Sequence, residues 1–199
     1  MLREVDLIAC EDTRRTRALL SHFDIHTPTV SYFEHNKLAR GPQILRRLAD
    51  GASVALVTDA GTPGISDPGF LLVRDARAAG IEVVPVPGPS AVATALSAAG
   101  VPADRFVFDG FLPVKPGRRR NRLTALRELE TTVVLYESPH RIVAALEAIA
   151  EVFGDAEIVV ARELTKQFEE IVRGTPAAHL ERLRASPPRG EFVVVIPRA

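Results

Sequence analysis

The sequence predicts an α/β protein of two lobes, each a mostly parallel sheet carrying helices, with a cleft between them. Two observations carry this reading. Short apolar runs alternate with amphipathic helical segments from one end of the chain to the other, the pattern that places helices over parallel strands. Midway, Pro87-Gly88-Pro89 breaks both periodicities and divides the chain into lobes over 1–86 and 87–199. With 199 residues and 46% hydrophobic side chains, the chain can bury a packed core.

In the first lobe, Val5 to Ala9 reads as a short buried strand. Thr13 to Phe23 follows as a helix with Thr13 as its cap. Thr29 to Phe33 is a second strand. Pro42 to Ala49 sets Ile44, Leu45 and Leu48 on one helical face, and Gly51 stops it. Ser53 to Val57 is apolar on both faces, as a strand inside a parallel sheet should be. Pro68 to Ala79 is helical, Gly80 ends it, and Ile81 to Val86 returns as strand.

The second lobe begins with an alanine-rich helix, Ser90 to Ala99, stopped by Gly100, and a strand from Arg105 to Phe108. Gly117 to Glu130 reads as a helix with Leu123, Leu126 and Leu129 inward and its arginines outward. Thr131 to Tyr136 is strand. Pro139 to Phe153 is a helix striped by Ile142, Leu146, Ile149 and Phe153. Glu157 to Ala161 and Glu169 to Arg173 are strands, Pro176 to Ala185 is a helix, and Phe192 to Ile196 is the last strand.

Composition excludes several classes. No apolar run approaches the ~20 residues that span a bilayer, and the start lacks the pattern of a signal peptide. A single cysteine, Cys10, forms no internal disulfide, and no Cys/His group has metal-ligand spacing, so a reducing, cytoplasmic setting is expected. The 25 basic and 25 acidic side chains cancel, which argues against a general nucleic-acid coat. The basic residues nonetheless cluster at Arg14, Arg15 and Arg17, and again at Arg118, Arg119, Arg120 and Arg122. Each cluster alone reads as a solvated helix face.

Chemistry concentrates where strands end. Thr58 to Gly69 leaves a buried strand and enters a helix, the place where open α/β sheets hold ligands. Its glycines admit a ligand close to the backbone and its prolines stiffen it. As a plain turn, it would need only Asp67 to cap the helix begun by Pro68. It lacks the Gly-Lys-Ser/Thr of a phosphate-binding loop and any Gly-x-Gly-x-x-Gly, and it contains no lysine or arginine. Asp59 and Asp67 suit a ligand with hydroxyls, amines or positive charge. Cys10 to Thr16, Pro87 to Ser90, Tyr136 to Arg141 and Ala161 to Lys166 are four more polar strand endings, and five together point to one assembled site. Ser138 reads as a helix cap, while Glu137 at a strand's carboxyl end points toward any cleft above the sheet. No Gly-x-Ser-x-Gly elbow is present, and no histidine is assigned a role.

Taken together, Glu-Asp-Thr-Arg-Arg-Thr (11–16), Asp-Ala-Gly-Thr-Pro-Gly-Ile-Ser-Asp-Pro-Gly (59–69), Val-Pro-Gly-Pro-Ser-Ala (86–91), Tyr-Glu-Ser-Pro-His-Arg (136–141), Arg-Glu-Leu-Thr-Lys (162–166) and Gly-Glu-Phe-Val-Val-Val-Ile (190–196) resemble the signature of bacterial small-subunit ribosomal RNA ribose 2′-O-methyltransferases acting on a cytidine. These belong to the tetrapyrrole-methylase superfamily. The resemblance implies a cytoplasmic homodimer that holds S-adenosylmethionine between two α/β lobes and acts on small ribosomal subunit RNA. It assigns the donor site to Asp59, Gly61, Thr62, Ile65, Ser66, Gly88, Ser90, Ala91 and Tyr136. Glu11, Asp12, Thr13, Arg14, Arg141, Arg162, Glu163 and Lys166 would face the RNA or the transferred methyl. Glu137, Glu163 and Arg162 are the catalytic candidates, with either glutamate as a base for the ribose hydroxyl or positioning alone as the source of rate. Lys115, Arg118, Arg119, Arg120 and Arg122 become a phosphate-contacting patch that Arg14, Arg141 and Lys166 extend.

Members of that family carry a further first strand and a Thr-Pro-Ile-Gly-Asn-like loop before the segment matching Leu2 to Asp6, so a fold lacking the first strand is expected here. Three alternatives stand beside this reading. They are a methylase of tetrapyrrole precursors, an inactive protein that keeps donor or RNA affinity, and a sugar-nucleotide-binding α/β enzyme. The last is disfavoured because the loops lack the basic residues that diphosphates attract.

Overall fold

The computed structural model describes residues 1–198. The chain divides into two compact units, Met1–Ser90 and the residues from Ala91 onward.

The first unit runs β1 (Leu7–Cys10), α1 (Thr13–His22), β2 (Thr29–Ser31), α2 (Lys37–Ala49), β3 (Val54–Val57) and α3 (Gly69–Ala78). Its sheet is parallel throughout in the order β2-β1-β3. The central strand β1 is buried on both faces. Ala9 packs with Tyr32, Ile44 and Leu72 against α2 and α3, while Ile8 and Cys10 pack with Leu20 of α1. Strand alternation makes this division, since neighbouring residues point to opposite faces.

Several local expectations are corrected. Asp12, not Thr13, caps α1, because its carboxylate accepts the Arg14 backbone N–H at 2.8 Å. Helix α2 starts at Lys37 and contains Pro42. The missing N–H of Pro42 leaves the Leu38 carbonyl without its helical donor, but Leu38 is exposed and water can satisfy it. Ile81 to Val86 forms no strand. No neighbouring strand among the described residues offers it a ladder, Pro85 brings no donor, and Val84 and Val86 lie exposed.

The second unit contains α4 (Ala91–Ala99), β4 (Phe106–Phe111), α5 (Pro116–Arg127), β5 (Thr132–Glu137), α6 (Ile142–Phe153), β6 (Ile158–Arg162), β7 (Glu170–Gly174), α7 (Pro176–Ala185) and β8 (Phe192–Ile196). Five strands pair in the order β4-β5-β8-β6-β7. Only β4 and β5 are parallel; the other three pairings are antiparallel, so the sheet is mixed rather than mostly parallel. The reason lies in the connections. β7 turns back on β6 without a crossover helix, and β8 then threads between β5 and β6 in the opposite sense. One face packs Leu135, Ile158, Val160, Phe192 and Val194 against α5 and α6. The other packs Val134, Val159, Val193 and Val195 against α4.

Helix α5 departs from expectation at two positions. Leu129 lies beyond its end and is half exposed, whereas Arg119 is buried. Helix α6 begins at Ile142, so Pro139 occupies a turn and Ser138 is not its cap. The Ser138 carbonyl instead accepts the N–H groups of Arg141 and Ile142, each at 3.0 Å.

Candidate functional site

In the first unit the polar strand ends converge. Glu11, at the end of β1, accepts a hydrogen bond from the Thr58 hydroxyl at the end of β3, at 3.2 Å. The Asp12 N–H donates to Asp59 Oδ1 at 3.4 Å, and Arg15 lies 3.7 Å from the other Asp59 oxygen. Parallel pairing brings this about, because β1 and β3 run the same way and finish side by side. The Arg14 guanidinium beside Asp12, aided by the Arg14 backbone N–H, holds that carboxyl down at about 2.

The loop after β3 closes on itself. Asp67 Oδ1 accepts N–H groups from Gly64 and Gly69, both at 2.7 Å. Asp67 therefore organises the loop as well as opening α3. Gly69 cannot be larger, because a Cβ there would meet Asp67 Oδ1 and the Gly64 nitrogen at 2.9 Å. Ser66 adopts a positive φ of 58°, a conformation that a non-glycine residue takes only under constraint. The Thr62 hydroxyl donates to the Pro89 carbonyl at 3.0 Å, tying the loop to the Pro87–Pro89 segment beside Gly88. Asp59, Gly61, Ile65 and Ser66 remain exposed around this frame. A small cavity of about 10 Å³ lies behind it, lined in part by Glu11, Tyr32 and Asp67. The buried Tyr32, whose hydroxyl donates to the Pro68 carbonyl at 3.4 Å, is a support that sequence reading missed. Nothing in a lone tyrosine after a weak strand signals that role.

In the second unit, Glu137, Phe192, Arg162 and Glu170 form one rung across the ends of four strands. Tyr136 lies on the opposite face, where it packs with Ala91 and Phe108. The sheet thus brings Tyr136 and Ala91 together and sets Glu137 and Arg162 on its other side. Ring centroids of Tyr136 and Phe108 are 4.7 Å apart, edge to face.

Glu137 is 2% exposed. Burial pushes its carboxyl up from the ordinary range, with Arg141 the main opposing influence. Glu163 differs. Its Oε1 accepts Lys166 Nζ at 2.8 Å and the Glu191 N–H at 2.9 Å, and these hold its carboxyl down, the lysine most. Lys166 also reaches Glu191 at 2.8 Å. Glu163 and Thr165 have φ of 50° and 66°, so the turn after β6 is held in a constrained form. Gly190 is the residue that permits it, because a Cβ there would collide with the Glu163 side chain. The Gly190-Glu191 pair before β8 was the visible signal for this contact, though neither residue was assigned to the site. Arg162 pairs with Glu170 at 3.4 Å, and Glu170 also takes Arg182 at 2.5 Å.

The basic patch resolves into different kinds of residue. Arg120 bonds Glu151 at 2.8 Å and Arg122 pairs with Asp109. Arg119 turns inward and cannot present its charge to a ligand at the surface. Lys115 and Arg118 are exposed, and among the described residues neither makes an ion pair to another side chain.

Comparison with known proteins places this architecture. Residues 1–178 match the model of the Tetrapyrrole (Corrin/Porphyrin) Methylases. This chain belongs to the tetrapyrrole methylase family. Within it, the chain is 52% identical to the ribosomal RNA small subunit methyltransferase I of Xylella fastidiosa over 203 residues, covering 98% of this chain and 73% of that protein. The Pseudomonas aeruginosa protein of the same name is also 52% identical, with 98% and 71% covered. Among solved structures, a diphthine synthase superposes with a TM-score of 0.73 at 16% identity, covering 98% of this chain and 81% of that one. A cobalt precorrin-4 methyltransferase gives 0.70 at 18%, covering 98% and 85%. At such identities these two structures show the methylase fold. Among the described residues, no helix is long and apolar enough to cross a membrane.

Proposed function

We propose that this methylase transfers a methyl group from S-adenosylmethionine to the ribose 2′-hydroxyl of a cytidine in small-subunit ribosomal RNA, as a cytoplasmic homodimer. The observation that carries the substrate class is the 52% identity, across 98% of the chain, to proteins named for small-subunit ribosomal RNA methylation. A tetrapyrrole substrate is the weaker reading, because the precorrin enzyme shares only 18% of positions.

The residues assigned to the donor are Asp59, Gly61, Thr62, Ile65, Ser66, Gly88 and Ser90 in the first unit, with Ala91 and Tyr136 in the second. The first group fits such a molecule. The loop is braced from within by Asp67 and presents a carboxylate, hydroxyls and open glycine backbone to solvent. Those groups match a cationic sulfur, an amino acid and a ribose. The donor supplies an electrophilic methyl on positively charged sulfur. The ribose oxygen forms the new C–O bond as the carbon–sulfur bond breaks in line, and the hydroxyl proton departs.

Among the catalytic candidates, Glu163 is committed to Lys166 and Glu137 is buried, so neither is poised to take that proton. Positioning therefore supplies most of the acceleration, and water receives the proton. Arg162 pairs with Glu170, and Lys166 with Glu163 and Glu191, which neutralises carboxylates that RNA would otherwise avoid. Arg14, Arg118 and Lys115 contact phosphates.

The test is incubation with methyl-labelled donor and small subunits lacking the modification. Label should enter the RNA and protect one phosphodiester from alkaline cleavage, because a methylated 2′-oxygen cannot attack its neighbouring phosphate. Label on a base would overturn the ribose assignment. Binding of donor and subunits without any transfer would favour the inactive binding protein.

A further inference from the structure

The Tyr136–Arg141 stretch reads as a substrate-facing motif, yet its charged residues turn inward. Glu137 Oε2 accepts the Ser138 N–H at 3.2 Å and lies 3.6 Å from Arg141 Nε. The Leu112 N–H and the Arg119 charge also favour its ionised form. Arg141 donates to the Leu112 carbonyl, and its guanidinium carbon sits 5.9 Å from the Phe111 ring centroid. Buried Arg119 donates to the Pro113 carbonyl at 3.2 Å, the Val114 carbonyl at 2.8 Å and the Ala144 carbonyl of α6 at 2.7 Å.

Three successive carbonyls, at Leu112, Pro113 and Val114, are thus taken by two guanidiniums. The segment lies between β4 and α5, where regular secondary structure offers no partners; an unpaired carbonyl at buried Leu112 would be costly, while at exposed Val114 the bond to Arg119 fixes the path of the chain. Immediately after it come exposed Lys115 and, on the first turn of α5, exposed Arg118.

We infer that buried Glu137 and Arg119, with the partly buried Arg141, form a clamp that fixes the Leu112–Lys115 segment, so that Lys115 and Arg118 meet the RNA backbone in one register. All three are then positioning residues, and Glu137 is not the base. This inference rests on the RNA-methylating function proposed above. The arrangement explains why the run of three arginines at 118–120 has its middle member buried. A flexible loop would give the same charge but would have to be ordered on every encounter, at an entropic cost the clamp has already met.

The test uses Arg119→Met, the milder Arg119→Lys, Glu137→Gln, and a Lys115→Ala/Arg118→Ala double variant, with the full chain throughout. Hydrogen exchange over 112–118 needs no substrate and addresses the clamp directly. Exchange should rise in Arg119→Met and in Glu137→Gln, while exchange in the first unit stays constant. Unchanged exchange over 112–118 would overturn the clamp even if the RNA reading failed. With small subunits, Arg119→Met should weaken binding on the order of tenfold at moderate salt and flatten the log–log salt dependence by about 1 to 2. Adding the double substitution to Arg119→Met should then weaken binding little further. Full additivity would mean that Lys115 and Arg118 act without the clamp. For Glu137→Gln, KM for subunits should rise while the pH–rate profile keeps its shape; loss of its acid limb with a collapse of kcat would make Glu137 the base. Arg119→Lys should recover part of the lost affinity. If wild-type protein binds no subunits while the exchange result holds, the function is wrong and the clamp stands.

Discussion

The two sheets are made from similar strand sequences but are buried very differently. In the second unit β8 is apolar and closed on both faces, as are β5 and β6 up to the polar residues at their ends, and each of the three has a strand on both sides. In the first unit β3, Val-Ala-Leu-Val, is wholly apolar, yet every residue is only half buried and, among the described residues, one edge has no strand beside it. Burial is therefore a property of the neighbours a strand finds, and sequence alone does not report it.

The largest expected effect follows from that contrast. Leu135→Ala on β5, at a site with no exposure, should cost about 3 to 4 kcal/mol. Leu56→Ala on β3, half buried, should cost about 1 to 2 kcal/mol. Urea unfolding of both variants measures the difference, and equal losses would mean that the open edge of β3 is covered in solution.

Gly190→Ala comes next. It forces a side chain onto a φ of 81° and into Glu163, so about 2 kcal/mol should be lost together with most methyl transfer. Thermal melting and a methyl-transfer assay on small subunits measure the two losses separately. Retained stability would show that the Glu163 turn relaxes at no cost.

His179, buried on α7, sharpens the comparison by pH. Burial pushes its imidazole below the ordinary 6.5, against the opposing pull of the backbone at Ile158 and Gly174 and with Arg182 adding repulsion. The unfolded chain then binds a proton that the folded unit resists. Stability should be full above pH 6.5 and fall as pH drops from there toward the lowered value. In His179→Leu, denaturant midpoints between pH 7 and 5 should lose that slope. The smallest effect is Thr175→Ala, which removes the hydroxyl that accepts the Ala178 N–H at 3.2 Å and should cost about 1 kcal/mol.

Much of this was legible in the sequence. The strands at Val54–Val57, Thr132–Glu137 and Phe192–Ile196 announce themselves by β-branched runs, and α7 by Thr175-Pro176. The loop at 58–69 declares itself by its glycines, prolines and aspartates, though not the way Asp67 binds two of its own N–H groups. Three things were hidden. Ile81–Val86 has strand composition, but a strand needs a partner and composition does not supply one. Antiparallel insertion of β8 is a matter of connection, and the same Val-rich run would serve in either sense. Arg119, fourth in Gly117-Arg118-Arg119-Arg120 counting from Pro116, lies in a charge run that looks uniform. Only the carbonyls of Pro113, Val114 and Ala144 distinguish it from its neighbours.

The place of β8 between β5 and β6 also sets a timetable for synthesis. The ribosome delivers β4 and β5 first, then β6 and β7, and each set can pair as it emerges. Among the described residues the two pairs are hydrogen-bonded into one sheet only through β8, although α6 already packs against residues of both. Until β8 arrives the nascent chain carries two small ribbons with open, valine-rich edges, the kind of surface that chaperones shield and that sticks to its own kind in a crowded cell. Slow translation between β7 and β8 would lengthen that exposure, and yield of this protein should depend on the codons of the 175–191 stretch more than on any others.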